Sequence, residues 1–171
     1  MMKYSCSNEC CILNVEPYTP TRRHNYRSST KRQKAGVFIY DPILSKTLLV
    51  QSRGHLWGPP KGTKDNNETD EECAIREVNE ETGINLRRTR LGRHIKIRNR
   101  ATYFYTEMPA CDVNVQKHIR GNDANGIAWI KTDCLLKLIQ SGKITLNQHC
   151  RFAFQKFLDI KYPKSSPQYS M

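Results

Sequence analysis

Short apolar runs separated by turn signals dominate the first two-thirds of the folded part of this chain. Gly36-Val37-Phe38-Ile39-Tyr40 stops at Asp41-Pro42, and Thr47-Leu48-Leu49-Val50-Gln51 follows closely enough to pair with it as a hairpin. The period then changes. Between Thr69 and Gly83 the apolar residues Ala74, Ile75 and Val78 fall on one side of a helix. Thr69 with Glu72 has capping-box spacing, and Gly83 stands where a helix ends in a left-handed residue. Further on, Leu91, Ile95 and Ile97 alternate with basic residues over Leu91–Arg98, which predicts a strand with one positive face. Asn99-Arg100 turns it into a strand over Ala101–Glu107, and residues 108–124 read as a polar loop. Ile127–Ile130 predicts a strand and Asp133–Gln140 a helix with Asp133 as N-cap, broken at Ser141-Gly142. A last helix is expected over Leu146–Tyr162. Strands, a central helix, more strands and terminal helices predict an α/β fold with a mixed sheet between helices.

The ends carry no such pattern. Residues 1–34 hold Pro17, Pro20 and a Ser28-Ser29-Thr30 run, and are expected to form a basic, loosely ordered arm. Residues 35–162 are expected to be the folded domain and 163–171 a frayed tail. No run of about 18 apolar residues suggests a membrane span, and no signal-like stretch opens the chain.

Charge adds a partner. The 171 residues carry a formal net charge of +12. Two blocks account for all of it: residues 1–34, and residues 86–100 with Arg87, Arg88, Arg90, Arg93, Lys96, Arg98 and Arg100 and no acid. Positive charge gathered in blocks points to a polyanion. Arg87, Arg88, Arg90, Lys96 and Arg98 are the expected RNA-binding residues, and Tyr18 and Tyr26 in the arm are available for stacking. Tyr103, Phe104 and Tyr105 could stack on a base, but aromatic residues at strand spacing read first as core. The seven cysteines are odd in number and lack paired CxxC spacing. Cys6, Cys10 and Cys11 with His24 would supply four zinc ligands at a poor spacing, so reduced thiols in a cytoplasmic compartment are the simpler reading.

The helix at Thr69–Gly83 holds the chemistry. Glu77, Glu80 and Glu81 stand at i, i+3 and i+4, where like charges repel. A hard divalent cation with oxygen ligands would turn that repulsion into coordination. Trp57-Gly58-Pro59-Pro60-Lys61-Gly62 ahead of it is turn-rich and brings a lysine suited to phosphate.

From Gly62 the chain reads Gly, five residues, Glu68, seven residues, then Arg76-Glu77-Val78-Asn79-Glu80-Glu81-Thr82-Gly83-Ile84. This resembles the Nudix box at every specified position, over roughly residues 35–160 of fold. The resemblance implies an α/β/α sandwich and a phosphoanhydride hydrolase using Mg²⁺ or Mn²⁺. It implies Glu77, Glu80 and Glu81 as metal ligands with the Gly62 carbonyl nearby, Glu68 as a further ligand or an outer group, and Lys61 on substrate phosphate. Arg76 is expected to pair with a box carboxylate, with a weaker claim on phosphate. Asp123 stands six residues before Trp129, where decapping members carry a glutamate that serves as base. It is one methylene shorter, and Glu81 and Glu77 are the alternatives. The flanks are similar to messenger-RNA decapping enzymes, including compact ones of large DNA viruses, which would place the protein in a host cytoplasm. They imply capped RNA as substrate, with 7-methylguanosine diphosphate and 5′-monophosphate RNA as products. Pro59-Pro60 is also typical of dinucleoside polyphosphate and diphosphoinositol polyphosphate hydrolases, so small nucleotide or inositol polyphosphates are the alternative. A non-catalytic RNA-binding Nudix fold is a third reading.

Overall fold

In the computed structural model, residues 2–18, 32–119 and 122–160 are described. The strands are β1 (Met2–Ser5), β2 (Ile12–Val15), β3 (Lys34–Asp41), β4 (Lys46–Ser52), β5 (Leu56–Gly58), β6 (Lys61–Thr63), β7 (His94–Ile97), β8 (Ala101–Glu107), β9 (Ala124–Lys131) and β10 (Thr145–Leu146). The helices are α1 (Asp70–Thr82), α2 (Thr132–Gln140) and α3 (Gln148–Phe157). The main sheet runs β1-β2-β9-β4-β3-β8-β7, with β6 paired to β3 and β5 bridging β4 and β10. It is mixed: β3 lies parallel to β8 from Lys34↔Ala101 to Tyr40↔Glu107, while β4 is antiparallel to β9.

Period-two alternation divides two cores. Val37 and Ile39 of β3 and Leu48 and Val50 of β4 pack with Ala74 and Val78 of α1 on one face. Phe38 and Leu49 point the other way, onto Leu135 of α2 and Phe154 of α3. Central strands buried on both faces are unbroken apolar runs, which is how they read in the sequence. The architecture is thus the expected α/β sandwich of a mixed sheet between helices. The β3–β4 hairpin closes at Tyr40↔Thr47 and Asp41↔Lys46. Its turn is fixed by Asp41, whose Oδ1 accepts from the Ile43 and Leu44 amides at 2.9 and 3.0 Å.

Several boundaries differ from expectation. Residues 2–15 are not a loose arm: β1 and β2 form a hairpin whose second strand adds to β9 at Asn14↔Ile127 and Val15↔Gly126. The apolar signal there is only Ile12-Leu13 and Val15, too short to register as a period, and the hairpin lies on a sheet edge formed by distant β9. Asp133 does not cap α2. The N-cap is Lys131, and β9 runs into the helix without a loop while the Thr132 amide donates to Ser45 O at 2.9 Å. Asp133 sits in the first turn, where a carboxylate still suits the helix dipole. The last helix begins late because Leu146 pairs with Trp57 in parallel and Asn147 caps, its Oδ1 accepting from Cys150 N at 2.8 Å. Leu91–Arg93 precede β7, although Gly92 and Arg93 still exchange hydrogen bonds with Tyr105. The stretch 19–31, Tyr162 and the tail from Pro163 lie outside the described residues.

Candidate active site

The acidic helix is built as its sequence dictates. Thr69 accepts from Glu72 N at 3.2 Å while the Glu72 carboxylate accepts from Thr69 N at 2.8 Å, a complete capping box. At the other end Gly83 has φ 79° and donates to Asn79 O at 2.8 Å. Cys73, Ala74 and Val78 are buried against the sheet, which turns Glu77, Glu80 and Glu81 toward β6 and a cavity. β6 lies close: a Cβ on Gly62 would overlap the Glu77 carboxylate and push that side chain out of its present position.

The cavity has a volume of about 570 Å³. Carboxylates (Glu77, Glu80, Glu81, Asp123) and cations (Lys34, Arg53, Lys61) both line it. Mixed signs in one cleft are what a cation and a polyphosphate would need together. Of the residues singled out from sequence, Lys61, Gly62, Arg76, Glu77, Glu80, Glu81 and Asp123 are all on its wall. Glu68 is not; it stands behind Arg76.

Arg76 organises this wall. Its Nε and one terminal nitrogen grip Glu68 at 2.7 and 2.8 Å, and the other nitrogen reaches Glu77 at 2.8 Å and Glu80 at 3.2 Å. Thr63 O accepts at 3.2 Å as well. A guanidinium engaged with three carboxylates is an internal clamp, the pairing with box carboxylates expected of Arg76. The fork holds the Glu68 carboxyl down to about 2. Glu77 is raised, because burial outweighs the pull of Arg76. Glu81 is only 5% exposed and, among the described residues, pairs with no guanidinium. Burial pushes its carboxyl up to about 8, Glu77 and Asp123 add to that, and the charge and 2.8 Å amide bond of Lys61 oppose it.

Three carboxylates on one helical face and a backbone carbonyl form an all-oxygen donor set, which fits Mg²⁺ or Mn²⁺. Their side chains are here turned onto Arg76 and the Lys61 amide. Among the described residues, the His, Cys, Asp and Glu ligand atoms gathered within 4.8 Å of one another belong to cysteines elsewhere. Coordination by Glu77 and Glu80 therefore competes with Arg76.

Other residues enter from the structure alone. His149 lines the cavity from α3, its Nδ1 3.1 Å from the Tyr103 hydroxyl, and burial with the charges of Lys61, Lys34 and Arg98 lowers its pKa. A single histidine on a late helix carried no signal. Lys34, counted with the arm, belongs to β3 and to the cavity; burial and then the charges of Lys61 and Arg53 lower its pKa. Asn122 positions the Asp123 loop by donating to Glu80 O at 2.9 Å and Gln116 O at 3.1 Å.

The basic block divides. Arg87, Arg88 and Arg90 are exposed and off the cavity, with Arg88 3.4 Å from Glu71. Arg93 donates to Phe157 O at 2.8 Å and lies over the Tyr105 and Phe157 rings. Lys96 and Arg100 border a smaller depression beside Lys34, and Arg98 is within electrostatic reach of His149. Tyr103 and Phe104 are buried and Tyr105 packs on Phe38 and Phe157, so these three are core. Trp129 is core too, its Nε1 donating to Cys111 O at 2.9 Å.

Residues 30–146 match the family model described as the NUDIX domain. The chain belongs to the Nudix family. Protein 111R of Invertebrate iridescent virus 3 is 29% identical over 136 residues, covering 78% of this chain and 79% of that one. The mRNA-decapping enzyme subunit 2 of Arabidopsis thaliana is 44% identical over 52 residues, 30% of this chain and 14% of the plant protein. The m7GpppN-mRNA hydrolase of Caenorhabditis elegans is 32% identical over 108 residues, 58% of this chain and 14% of its own length. The matched stretch is thus a small part of each of these two decapping enzymes. In fold, the chain is similar to the MutT Nudix hydrolase of Burkholderia pseudomallei, with a TM-score of 0.53 at 22% identity over 74% of this chain and 97% of that one. The Nudix membership and this cavity make the chain a pyrophosphohydrolase of the Nudix type.

Proposed function

We propose that this Nudix hydrolase acts on capped RNA, releasing 7-methylguanosine diphosphate and 5′-monophosphate RNA. The observation that carries the reading is a cleft in which the box carboxylates face Lys34, Arg53 and Lys61, on a chain with a net charge of +12. Partial similarity to decapping enzymes supports it. Glu77, Glu80, Glu81 and Gly62 O would hold Mg²⁺ or Mn²⁺, which supplies charge neutralisation on the phosphates and activation of water. Lys61 and Lys34 bind the phosphate chain, and Arg76, gripped by Glu68, is the counter-charge that Glu77 and Glu80 exchange for the metal. Asp123 is exposed on the cavity wall and accepts the proton of the attacking water. Tyr18 lies against Gly54, next to Arg53, and is 39% exposed, which suits it to stack on the base.

Cleavage should be compared on cap-labelled RNA, diadenosine tetraphosphate and diphosphoinositol pentakisphosphate with Mg²⁺ or Mn²⁺. Release of 7-methylguanosine diphosphate as the fastest reaction supports the reading. Cleavage of a small substrate without it would establish the alternative hydrolase, and RNA binding without turnover the non-catalytic reading. Neutralising Arg87, Arg88 and Arg90 together should raise KM for capped RNA and reduce the salt slope by about two to three. Turnover of a dinucleotide should be unaffected. An unchanged salt slope would remove these arginines from the RNA path.

A further inference from the structure

The β1–β2 hairpin sits at the sheet edge and is anchored through β2 alone, by Leu13 and Val15. All four residues of β1 are exposed, and β2 meets β9 through two residue pairs. An isolated two-stranded hairpin is marginal in water. Its turn, however, carries Cys6, Cys10 and Cys11, and it is folded against α2 so that Cys134 joins them. The Cys10 Sγ lies 3.6 Å from Cys6, 3.7 Å from Cys11 and 3.3 Å from Cys134. All four sulfurs are within 4.8 Å of one another.

We propose that Cys6, Cys10, Cys11 and Cys134 form a tetrahedral thiolate site for one structural zinc ion, separate from the Nudix centre. Zn–S bonds of about 2.3 Å place the sulfurs of a tetrahedron roughly 3.8 Å apart, close to the spacings around Cys10. They are too far apart for disulfides, whose sulfurs are about 2.05 Å apart, and all four cysteines are free. An iron–sulfur cluster is larger than one ion and needs its cysteines spread more widely. Two backbone amides point at the sulfurs: that of Lys131 donates to Cys11 Sγ at 3.2 Å and that of Asn8 to Cys6. Cys6, Cys11 and Cys134 are buried, while Cys10 is exposed and gives the ion a way in. The turn is tight, with Cys6 N donating to Cys11 O at 3.2 Å and Glu9 at φ 54°. Zinc would fasten the hairpin to the junction of β9 and α2, and with it the segment leading to Tyr18 beside Gly54. His24, the fourth ligand weighed from sequence, lies outside the described residues; Cys134 supplies that position from far along the chain. Four soft sulfur ligands select zinc where the oxygen donors of the box select magnesium or manganese.

The full chain, expressed with zinc and purified reduced without chelator, should hold about one zinc per chain by elemental analysis. Cys10→Ser, at an exposed position, should lower that at least about fivefold, while Cys111→Ser and Glu81→Gln should retain it. Cobalt reconstitution of the wild-type chain should give thiolate charge-transfer absorption, a readout independent of how any variant folds. Zinc loss should deprotect the amides of residues 2–15 in hydrogen exchange. A zinc-free reduced chain that also gives no cobalt charge transfer overturns the proposal. So does full zinc retention by Cys10→Ser, or iron in place of zinc. None of these outcomes depends on which phosphoanhydride the Nudix centre cleaves.

Discussion

Replacing Glu81 with glutamine should make the metal-free protein more stable and hydrolytically inactive. Glu81 is buried among Glu77 and Asp123, with no guanidinium partner among the described residues, and its carboxyl is pushed up to about 8 by that burial. The sign follows from linkage. A carboxyl whose folded pKa lies above its unfolded value of 4.5 favours the folded state at low pH, and that contribution is lost as pH rises from 4.5 to about 8. At pH 7 in chelator the wild-type chain therefore holds an ionisable group that opposes folding. Glutamine keeps an oxygen for the Lys61 amide and removes the titration. The variant should gain about 1–3 kcal/mol, a rise in Tm of roughly 3–10 °C. The gain should vanish below about pH 4.5, where both side chains are neutral. Manganese or magnesium should then raise the Tm of the wild type more than that of the variant, because binding stabilises only the state that binds. Turnover should fall roughly 10²–10³-fold or more, as expected on removing a group that sets the charge of the reacting centre. Calorimetry across pH with and without metal checks all of this. A variant less stable than wild type in chelator at pH 7, or one that keeps its activity, would show that Glu81 is not a functionally strained carboxylate.

The box was legible because its chemistry is local. Thr69, Glu72 and Gly83 mark the helix, and the i, i+3, i+4 spacing of Glu77, Glu80 and Glu81 puts them on one face before any tertiary contact is known. The strands at β3, β4 and β8 were legible for the same reason: apolar runs with turn residues at their ends. What stayed hidden depends on contacts between distant segments. Lys34 joins Lys61 because β3 pairs with β6, and His149 reaches the cavity from the far end of the chain. Cys134 meets Cys10 across 124 positions. The weight that sequence placed on Pro59 also shifts. It is buried and absent from the cavity wall, so any influence it has on substrate choice acts through the path of the loop carrying Lys61.

Arg76→Ala should be the most destabilising single change in the site, and Arg76→Lys should not repair it. The guanidinium is about one-third exposed, yet it binds Glu68 through two bonds, Glu77 and Glu80 through one nitrogen, and the Thr63 carbonyl. Its removal leaves two mostly buried carboxylates, Glu68 and Glu77, without the hydrogen-bonding cation that joins them. Breaking a partly buried network of this kind costs about 2–4 kcal/mol, less than a fully buried one because water reaches the guanidinium. Lysine keeps the charge but cannot serve a bidentate carboxylate and two further acceptors at once. The pH dependence separates the clamp from a phosphate contact. Arg76 holds the Glu68 carboxyl near 2 against an unfolded value of 4.5, so its stabilisation is present above 4.5 and is lost as pH falls toward 2. Wild-type stability should decline through that window in chelator, and Arg76→Ala should flatten the decline. A double-mutant cycle with Glu68→Gln, read by urea unfolding, should return a coupling of about 1–3 kcal/mol. A phosphate-binding arginine would instead leave stability and the acid limb unchanged while KM alone rises, and that outcome would return Arg76 to the substrate. Because the same guanidinium holds Glu77 and Glu80, the clamp also sets a cost on metal binding. In Arg76→Ala the carboxylates are free to turn, so the metal concentration for half-maximal stabilisation should fall even as the fold weakens.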